Sequence, residues 1–402
     1  MTFSFKKILL VVVTIAFLAF AVVMSYRLWR AISEPLYAPV DIISLEIDEH
    51  DFYFDFGAPH PVRDQPVIVY GFLPYWEMRN FRLSRVVTHV AYFGLTSDAR
   101  GNFLRDGGWN SFHGPTYERV WPQILEAGKY GEIVIKMFNA DDMWALLHCA
   151  NCKNTLIDNI MTVVDEGDFT GVNIDFEYMG VVTPSLRRGF TTFMRDLRAE
   201  MDAYPRDLIL SVDIYGDGAR MYSIWEMQYL GNYADYIIVM GYDYHTRRSI
   251  RPGPVAPTIG RARWGNDILE GLRALLNYVD PSQVILAVPF YGYEWRVTSL
   301  DLNTARTYPG TGATMTYRRI QHMRNDRQNI NFREHWDHYS LTPYLTYTRD
   351  GNYYIGFFDN ARSIGYKMDL VRGLNLAGVA IWAMGYEGDS SELWRAIEDR
   401  LR

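Results

Sequence analysis

Cysteine is almost missing from this chain: two of its 402 residues, Cys149 and Cys152. Two thiols three positions apart supply neither a disulfide framework nor a complete zinc site, and no second C-x₂-C pair accompanies them. A local disulfide in an exported loop is the favoured reading, and no metal site is expected. Basic runs are missing too. Lys and Arg total 40 against 47 Asp and Glu, a formal net charge of −7, which speaks against a nucleic-acid partner. There is no internal repeat, so solenoids and propellers are excluded. Charged residues reach only 22% against 49% hydrophobic, a balance that excludes disorder for the bulk of the chain. Aromatics, by contrast, are plentiful at 15%, with 29 Tyr and 11 Trp, and a surplus of this kind suits a binding surface.

The N-terminal end stands apart. Lys6 and Lys7 precede a continuous apolar run over residues 8–24, and Arg27 and Arg30 follow it. The run sits at the short end of the about 17–25 residues of a membrane span and above the about 7–15 of a signal-peptide core. Ala19-Phe20-Ala21 resembles a small-residue cleavage site but lies inside the run. Residues 1–30 therefore read as a single transmembrane anchor, favoured over a cleaved signal, and both readings place the rest outside the cytoplasm. Residues 31–66 carry acids, the triplet Phe52-Tyr53-Phe54 and three prolines, Pro59, Pro61 and Pro66, and read as a stem.

From residue 67 onward short β-branched runs alternate with amphipathic stretches. Strands are expected at 67–73, 86–95, 132–138, 171–177, 208–213, 235–242, 283–291 and 377–382. Eight strands with crossovers point to an α/β fold, a (β/α)₈ TIM barrel over residues 67–402. The last gap is much the longest. Residues 293–360 are expected to form a small α+β insertion between strands seven and eight, with a hairpin around Asp350-Gly351.

The chemistry concentrates in Thr170-Gly171-Val172-Asn173-Ile174-Asp175-Phe176-Glu177. On a strand Asn173, Asp175 and Glu177 share one face while Val172, Ile174 and Phe176 share the other. In a barrel the polar set faces the axis, and the two carboxyls reach the C-terminal end, where barrel enzymes place catalytic groups. Acids crowded in an enclosed space raise each other's pKa, so one of them holds a proton near neutral pH. The bland reading makes both ordinary salt-bridged loop acids, and alternation alone does not displace it.

A resemblance does. The segment is similar to the D-G-x-D-x-D-x-E signature of glycoside hydrolase family 18, the chitinases and related N-acetylglucosaminidases. Gly71-Phe72-Leu73-Pro74-Tyr75-Trp76 resembles the family's first strand, Met240-Gly241-Tyr242-Asp243 its sixth, Val288-Pro289-Phe290-Tyr291-Gly292 its seventh and Gly378-Val379-Ala380-Ile381-Trp382 its eighth. Two positions depart: Thr170 and Asn173 stand where the signature has aspartates. Asn at the second of these resembles the branch acting on spore-cortex peptidoglycan, as does the segment Ile381 to Glu387.

The resemblance implies retaining hydrolysis of β-1,4-linked N-acetylglucosamine glycans, with the substrate's own acetamido group as nucleophile, peptidoglycan favoured over chitin oligomers and no cofactor needed. It implies Glu177 as acid and base, Asp175 as the group that orients the acetamido N–H, and Tyr242 as donor to its carbonyl. Asp243, Trp382, Asn173, Tyr291, Tyr75 and Trp76 are the expected sugar-binding residues, with Asn173 behind Asp175. A catalytically silent, lectin-like barrel is the alternative; the presence of Glu177 weighs against it. Arg247, Arg248 and Arg251, after strand six, could meet an acidic glycan or lie in a solvated loop.

Overall fold

The computed structural model describes residues 66–401. The apolar run at 8–24 and the stem lie outside the described residues. Among the described residues no helix is long and apolar enough to cross a membrane.

Eight parallel strands close a barrel. They are β1 (Ile68–Pro74), β2 (His89–Thr96), β3 (Tyr130–Met137), β4 (Gly171–Phe176), β5 (Ile209–Tyr215), β6 (Tyr236–Met240) and β7 (Val284–Pro289). A last strand, Gly378–Trp382, closes the ring between β7 and β1. All eight segments expected from the sequence are strands, and the ends differ by a few residues. Glu177 is one step past β4, yet its backbone N–H still donates to Met137 O at 3.0 Å, so the pairing with β3 continues through it.

The alternation works as expected. Val172, Ile174 and Phe176 are buried outward, and Phe176 stacks on Phe193 with ring centroids 5.5 Å apart. Phe193 belongs to the helix Pro184–Asp202. Thr183 caps that helix by accepting from Leu186 N, Pro184 opens it, and Leu186, Phe190, Phe193, Met194, Leu197 and Met201 form its buried stripe. The strand's other face, Asn173 and Asp175, points into the barrel.

Between β7 and the last barrel strand the chain builds a second sheet. Its strands are β8 (Tyr291–Val297), β9 (Ala313–Thr316), β10 (Ile330–Asp337), β11 (Thr342–Arg349) and β12 (Asn352–Phe357), antiparallel in the order β10-β11-β12-β8-β9. The closing barrel strand is accordingly β13. The sheet begins at Tyr291, so the residue placed by sequence at the end of strand seven opens β8 instead. Pro289 ends β7, and Phe290 N donates to Trp382 O at 2.7 Å between the two strands. The β11–β12 turn is Asp350-Gly351, both with positive φ (49° and 73°), the conformation a two-residue hairpin requires. The helix Tyr317–Met323 packs with this sheet.

Cys149 and Cys152 form a disulfide at the start of the helix Ala150–Glu166. His335 and Asp337 lie on β10. The His335 ring shares a hydrogen bond with Thr346, and Asp337 is buried, accepting from Trp264 and Ser340.

Candidate active site

The barrel interior divides by chemistry. β1, β2, β6, β7 and β13 contribute Phe72, Ala91, Phe93, Ile238, Ala287 and Ala380. β3, β4 and β5 contribute Glu132, Lys136, Asn173, Asp175, Ser211 and Asp213, all buried. Buried polar groups need partners, and several of these are tied together. Asn173 Nδ2 donates to Ser211 Oγ at 3.0 Å and to Asp213 Oδ1 at 2.9 Å. Ser211 and the Tyr70 hydroxyl both donate to Glu132 Oε2, at 2.7 and 3.0 Å. Lys136 Nζ donates to Gly94 O at 3.0 Å and lies 4.9 Å from the centre of the Phe93 ring.

Above this network a cleft of about 810 Å³ opens at the C-terminal end of the strands. Asp175, Glu177, Asp213, Tyr215, Tyr242 and Asp243 reach it, and Trp76, Phe93, Trp382 and Tyr386 supply its aromatic surface. Trp382 rests edge-on against Phe93, with centroids 4.6 Å apart. Trp76 is 44% exposed, an open ring at the cleft mouth. From the second sheet come Tyr291, Tyr293 and Thr314.

Crowding acids in this enclosure has the effect anticipated from the sequence. Burial pushes Glu177 up to about 7, the nearby charge of Asp243 adds to the rise, and the Tyr215 hydroxyl opposes it. At neutral pH Glu177 is thus divided between a proton donor and a base. Burial also raises Asp175 well above the usual carboxylate range, helped by Asp213 and Glu177 and opposed by Lys136. Its Oδ1 is buried with no hydrogen-bond partner. The Tyr242 hydroxyl is held protonated by burial and by Asp213, Asp175, Glu177 and Asp243; it remains a donor. Asp243, with φ of 62°, opens to the cleft. It accepts hydrogen bonds from the hydroxyls of Tyr291 and of Tyr293, the latter at 2.9 Å.

The residues selected from the sequence separate into two groups. Glu177, Asp175, Tyr242, Asp243, Trp382, Tyr291 and Trp76 converge on the cleft. Tyr75 and Asn173 do not line it. Tyr75 packs beside Trp76, centroids 4.9 Å apart, and its hydroxyl lies over Gly107. Asn173 is sealed below the cleft, and its amide bonds Asp213 and Ser211 rather than Asp175. Thr170 is not near the carboxyls: its hydroxyl exchanges hydrogen bonds with the Gly131 backbone at the opposite, N-terminal end of β4. Sequence reasoning missed Asp213 and Tyr215. Ser211-Val212-Asp213-Ile214-Tyr215 alternates polar and apolar just as β4 does, and that signal marks them. Among the described residues no group of three or more His, Cys, Asp or Glu is placed to hold a metal ion.

The Bacillus subtilis (strain 168) protein YdhD, whose name gives a sporulation-specific glycosylase, is 26% identical over 251 residues, 61% of this chain and 54% of its own. A cortical fragment-lytic enzyme of the same organism is 25% identical over 263 residues, 64% of this chain and 55% of its own. The chain thus spans about half the length of these relatives. The Group IV chitinase of Ostrinia furnacalis, solved with allosamidin, superposes with a TM-score of 0.72 at 18% identity, over 83% of this chain and 98% of that one, a likeness of fold. The description of glycosyl hydrolases family 18 matches residues 140–387, more than half of the chain and all of the segment from β4 to β13 that carries the acids of the cleft. The chain belongs to glycosyl hydrolases family 18.

Proposed function

We propose that the enzyme cleaves β-1,4-linked N-acetylglucosamine glycans, peptidoglycan ahead of chitin, with retention and with the substrate's acetamido oxygen as nucleophile. The observation that carries the reading is Glu177, poised near neutrality in the same cleft as Asp175 and the Tyr242 hydroxyl. Glu177 protonates the glycosidic oxygen as the acetamido carbonyl oxygen attacks C1. The leaving sugar departs with that proton and a cyclic oxazolinium remains. Asp175 accepts the acetamido N–H and offsets the positive charge, while Tyr242 donates to the acetamido oxygen and holds it below C1. Glu177, now ionised, takes a proton from water, whose oxygen attacks C1 and opens the ring. Trp382 forms a flat apolar floor for the pyranose, and Asp243, fixed by Tyr291 and Tyr293, accepts from sugar hydroxyls.

Two features favour peptidoglycan. Arg247 lines the cleft, a cation suited to the carboxylates that peptidoglycan carries and chitin lacks. The cortical fragment-lytic relatives point the same way. The apolar run at 8–24 with its flanking Lys and Arg supports attachment to a membrane by one helix, with the barrel outside the cytoplasm. Recovery of full-length protein in the membrane fraction is expected, and recovery in the cytosol without detergent would overturn the anchor.

The test is digestion of peptidoglycan, chitin oligomers and a plain glucan by the full-length chain, with mass analysis of products and the anomer followed by NMR. Retained-anomer products from acetamido glycans, and none from the glucan, are expected. Cleavage of the glucan, or inverted products, would overturn the mechanism.

A further inference from the structure

The carboxyls of the cleft leave one problem. Asp175 must be ionised to offset the positive charge of the oxazolinium, yet it sits buried, 3% exposed, with an unpartnered Oδ1. The residue two before it on the same face, Asn173, carries no charge and points its amide N–H groups at β5. Thr170 is at the far end of the strand. Nothing on β4 itself can take a proton from Asp175, and past its end only Glu177 can.

The neighbour on β5 can. The β4–β5 register pairs Asn173 with Ser211 and Ile174 with Val212; the next residues of the two strands are Asp175 and Asp213. Asp213 is likewise 3% exposed and reaches the cleft beside Asp175. Asn173 fixes it from below through the 2.9 Å bond to Oδ1. That bond suits an amide at 173, which donates to the Asp213 carboxyl whatever its protonation state. The acid is therefore present in the interior, but one strand over.

We propose that Asp213 is the positioning residue for catalysis, the partner carboxyl that shares one proton with Asp175 and takes it over when substrate arrives. This rests on the proposed function. The step balances: Asp175 as acid and Asp213 as carboxylate become Asp175 as carboxylate and Asp213 as acid, with no net change of charge. The freed Asp175 accepts the acetamido N–H, and the proton never leaves the barrel.

The charged and titratable groups facing the pair are Glu132 and Lys136 from β3, Glu177 past β4, Tyr215 on β5, Tyr242 past β6 with Asp243 beside it, and Tyr70 from β1. Of these only Lys136 is a cation, so a negative charge on the pair raises Glu177 with the rest. Removing it lowers the pH at which Glu177 loses its proton.

Asp213→Asn keeps the size and one acceptor but cannot carry the proton. It should lower kcat on acetamido glycans about 10²-fold, the scale for removing one preorganised group, with KM changed much less. The alkaline limb of the pH–rate profile should move to lower pH. The double variant Asn173→Asp with Asp213→Asn returns a carboxyl to the pair and should recover both. A second readout needs no turnover: infrared titration of protonated carboxyls in substrate-free protein should lose its most alkaline step in Asp213→Asn and regain it in the double variant. Wild-type kcat and an unmoved alkaline limb in Asp213→Asn, or an unchanged infrared titration, would overturn the proposal. A wild-type enzyme silent on every acetamido glycan would instead overturn the proposed function, and the infrared titration would still decide the role of Asp213.

Discussion

Inside the barrel, β3 to β5 hold six buried polar side chains, whereas β1, β2, β7 and β13 fill their share with Phe72, Phe93, Ala287 and Ala380. The two halves depend on each other. The apolar half contributes a wall of low polarity that keeps water from the carboxyls opposite it and raises them. The polar half converts that wall into chemistry, because its acids outnumber its single cation, Lys136, and cannot all ionise. A barrel polar all round would leave Glu177 near its ordinary value. A barrel apolar all round would have nothing to titrate.

The sharpest way to break this comparison is at the two acids themselves. Glu177→Gln removes the group proposed to protonate the leaving oxygen, and general acid–base catalysis of this kind is worth about 10²–10⁴-fold. Turnover should fall by at least that range. Asp175→Asn removes one preorganised electrostatic partner, so its loss is expected at about 10²–10³-fold. Sugar binding should largely survive both, since Trp382, Tyr291 and Tyr293 are untouched; calorimetric titration with a chitin oligomer checks this. Near-normal turnover in Glu177→Gln would end the assignment.

The next effect is on stability. Burial pushes Glu132 up to about 7 from 4.5, while its bonds from Ser211 and Tyr70 pull it down. A carboxyl raised in the folded state binds its proton more tightly there than in the unfolded chain. Its stabilising share is therefore complete below about pH 4.5 and is lost as pH rises to about 7. A rise of this size corresponds to roughly 3 kcal/mol at most. Denaturation midpoints of the wild type should decline across that window, and Glu132→Gln should flatten part of the decline. An equally steep decline in the variant would show that the polar half tolerates its charges through some other compensation.

Much of this was readable in advance, for a physical reason. Strand periodicity and the β4 alternation depend on neighbours in sequence, so the eight strands, the inward set Asn173 and Asp175, and the hairpin turn at Asp350-Gly351 all stood in the chain itself. What β4 faces across the sheet depends on register, which no local pattern encodes. Asp213, Ser211 and Glu132 meet Asn173 and Asp175 only because β3, β4 and β5 pair as they do. The same blindness placed Tyr75 in the cleft and Asn173 among the sugar-binding residues. Tyr75 and Trp76 are adjacent, and the bend after β1 sends only Trp76 to the mouth.

The smallest expected effect tests the outer edge of the polar half, where charge is no longer buried. Arg247 is exposed at the cleft and its charge lowers the Asp243 carboxyl, against the larger upward push of burial. Solvent screens such a group, and exposed charge pairs are worth about 0.2–1 kcal/mol. Arg247→Ala should therefore cost a few-fold at most in kcat/KM on peptidoglycan, and the loss should shrink as salt is raised. Neutral chitin oligomers offer no carboxylate, so they should be turned over as well by the variant as by the wild type. The ratio of the two activities, measured at low and high salt, isolates the contribution of Arg247 from any change in the acids below. An equal loss on both glycans would mean that Arg247 acts through Asp243 rather than on the substrate's charge, and preference for an acidic glycan would then have to originate elsewhere in the cleft.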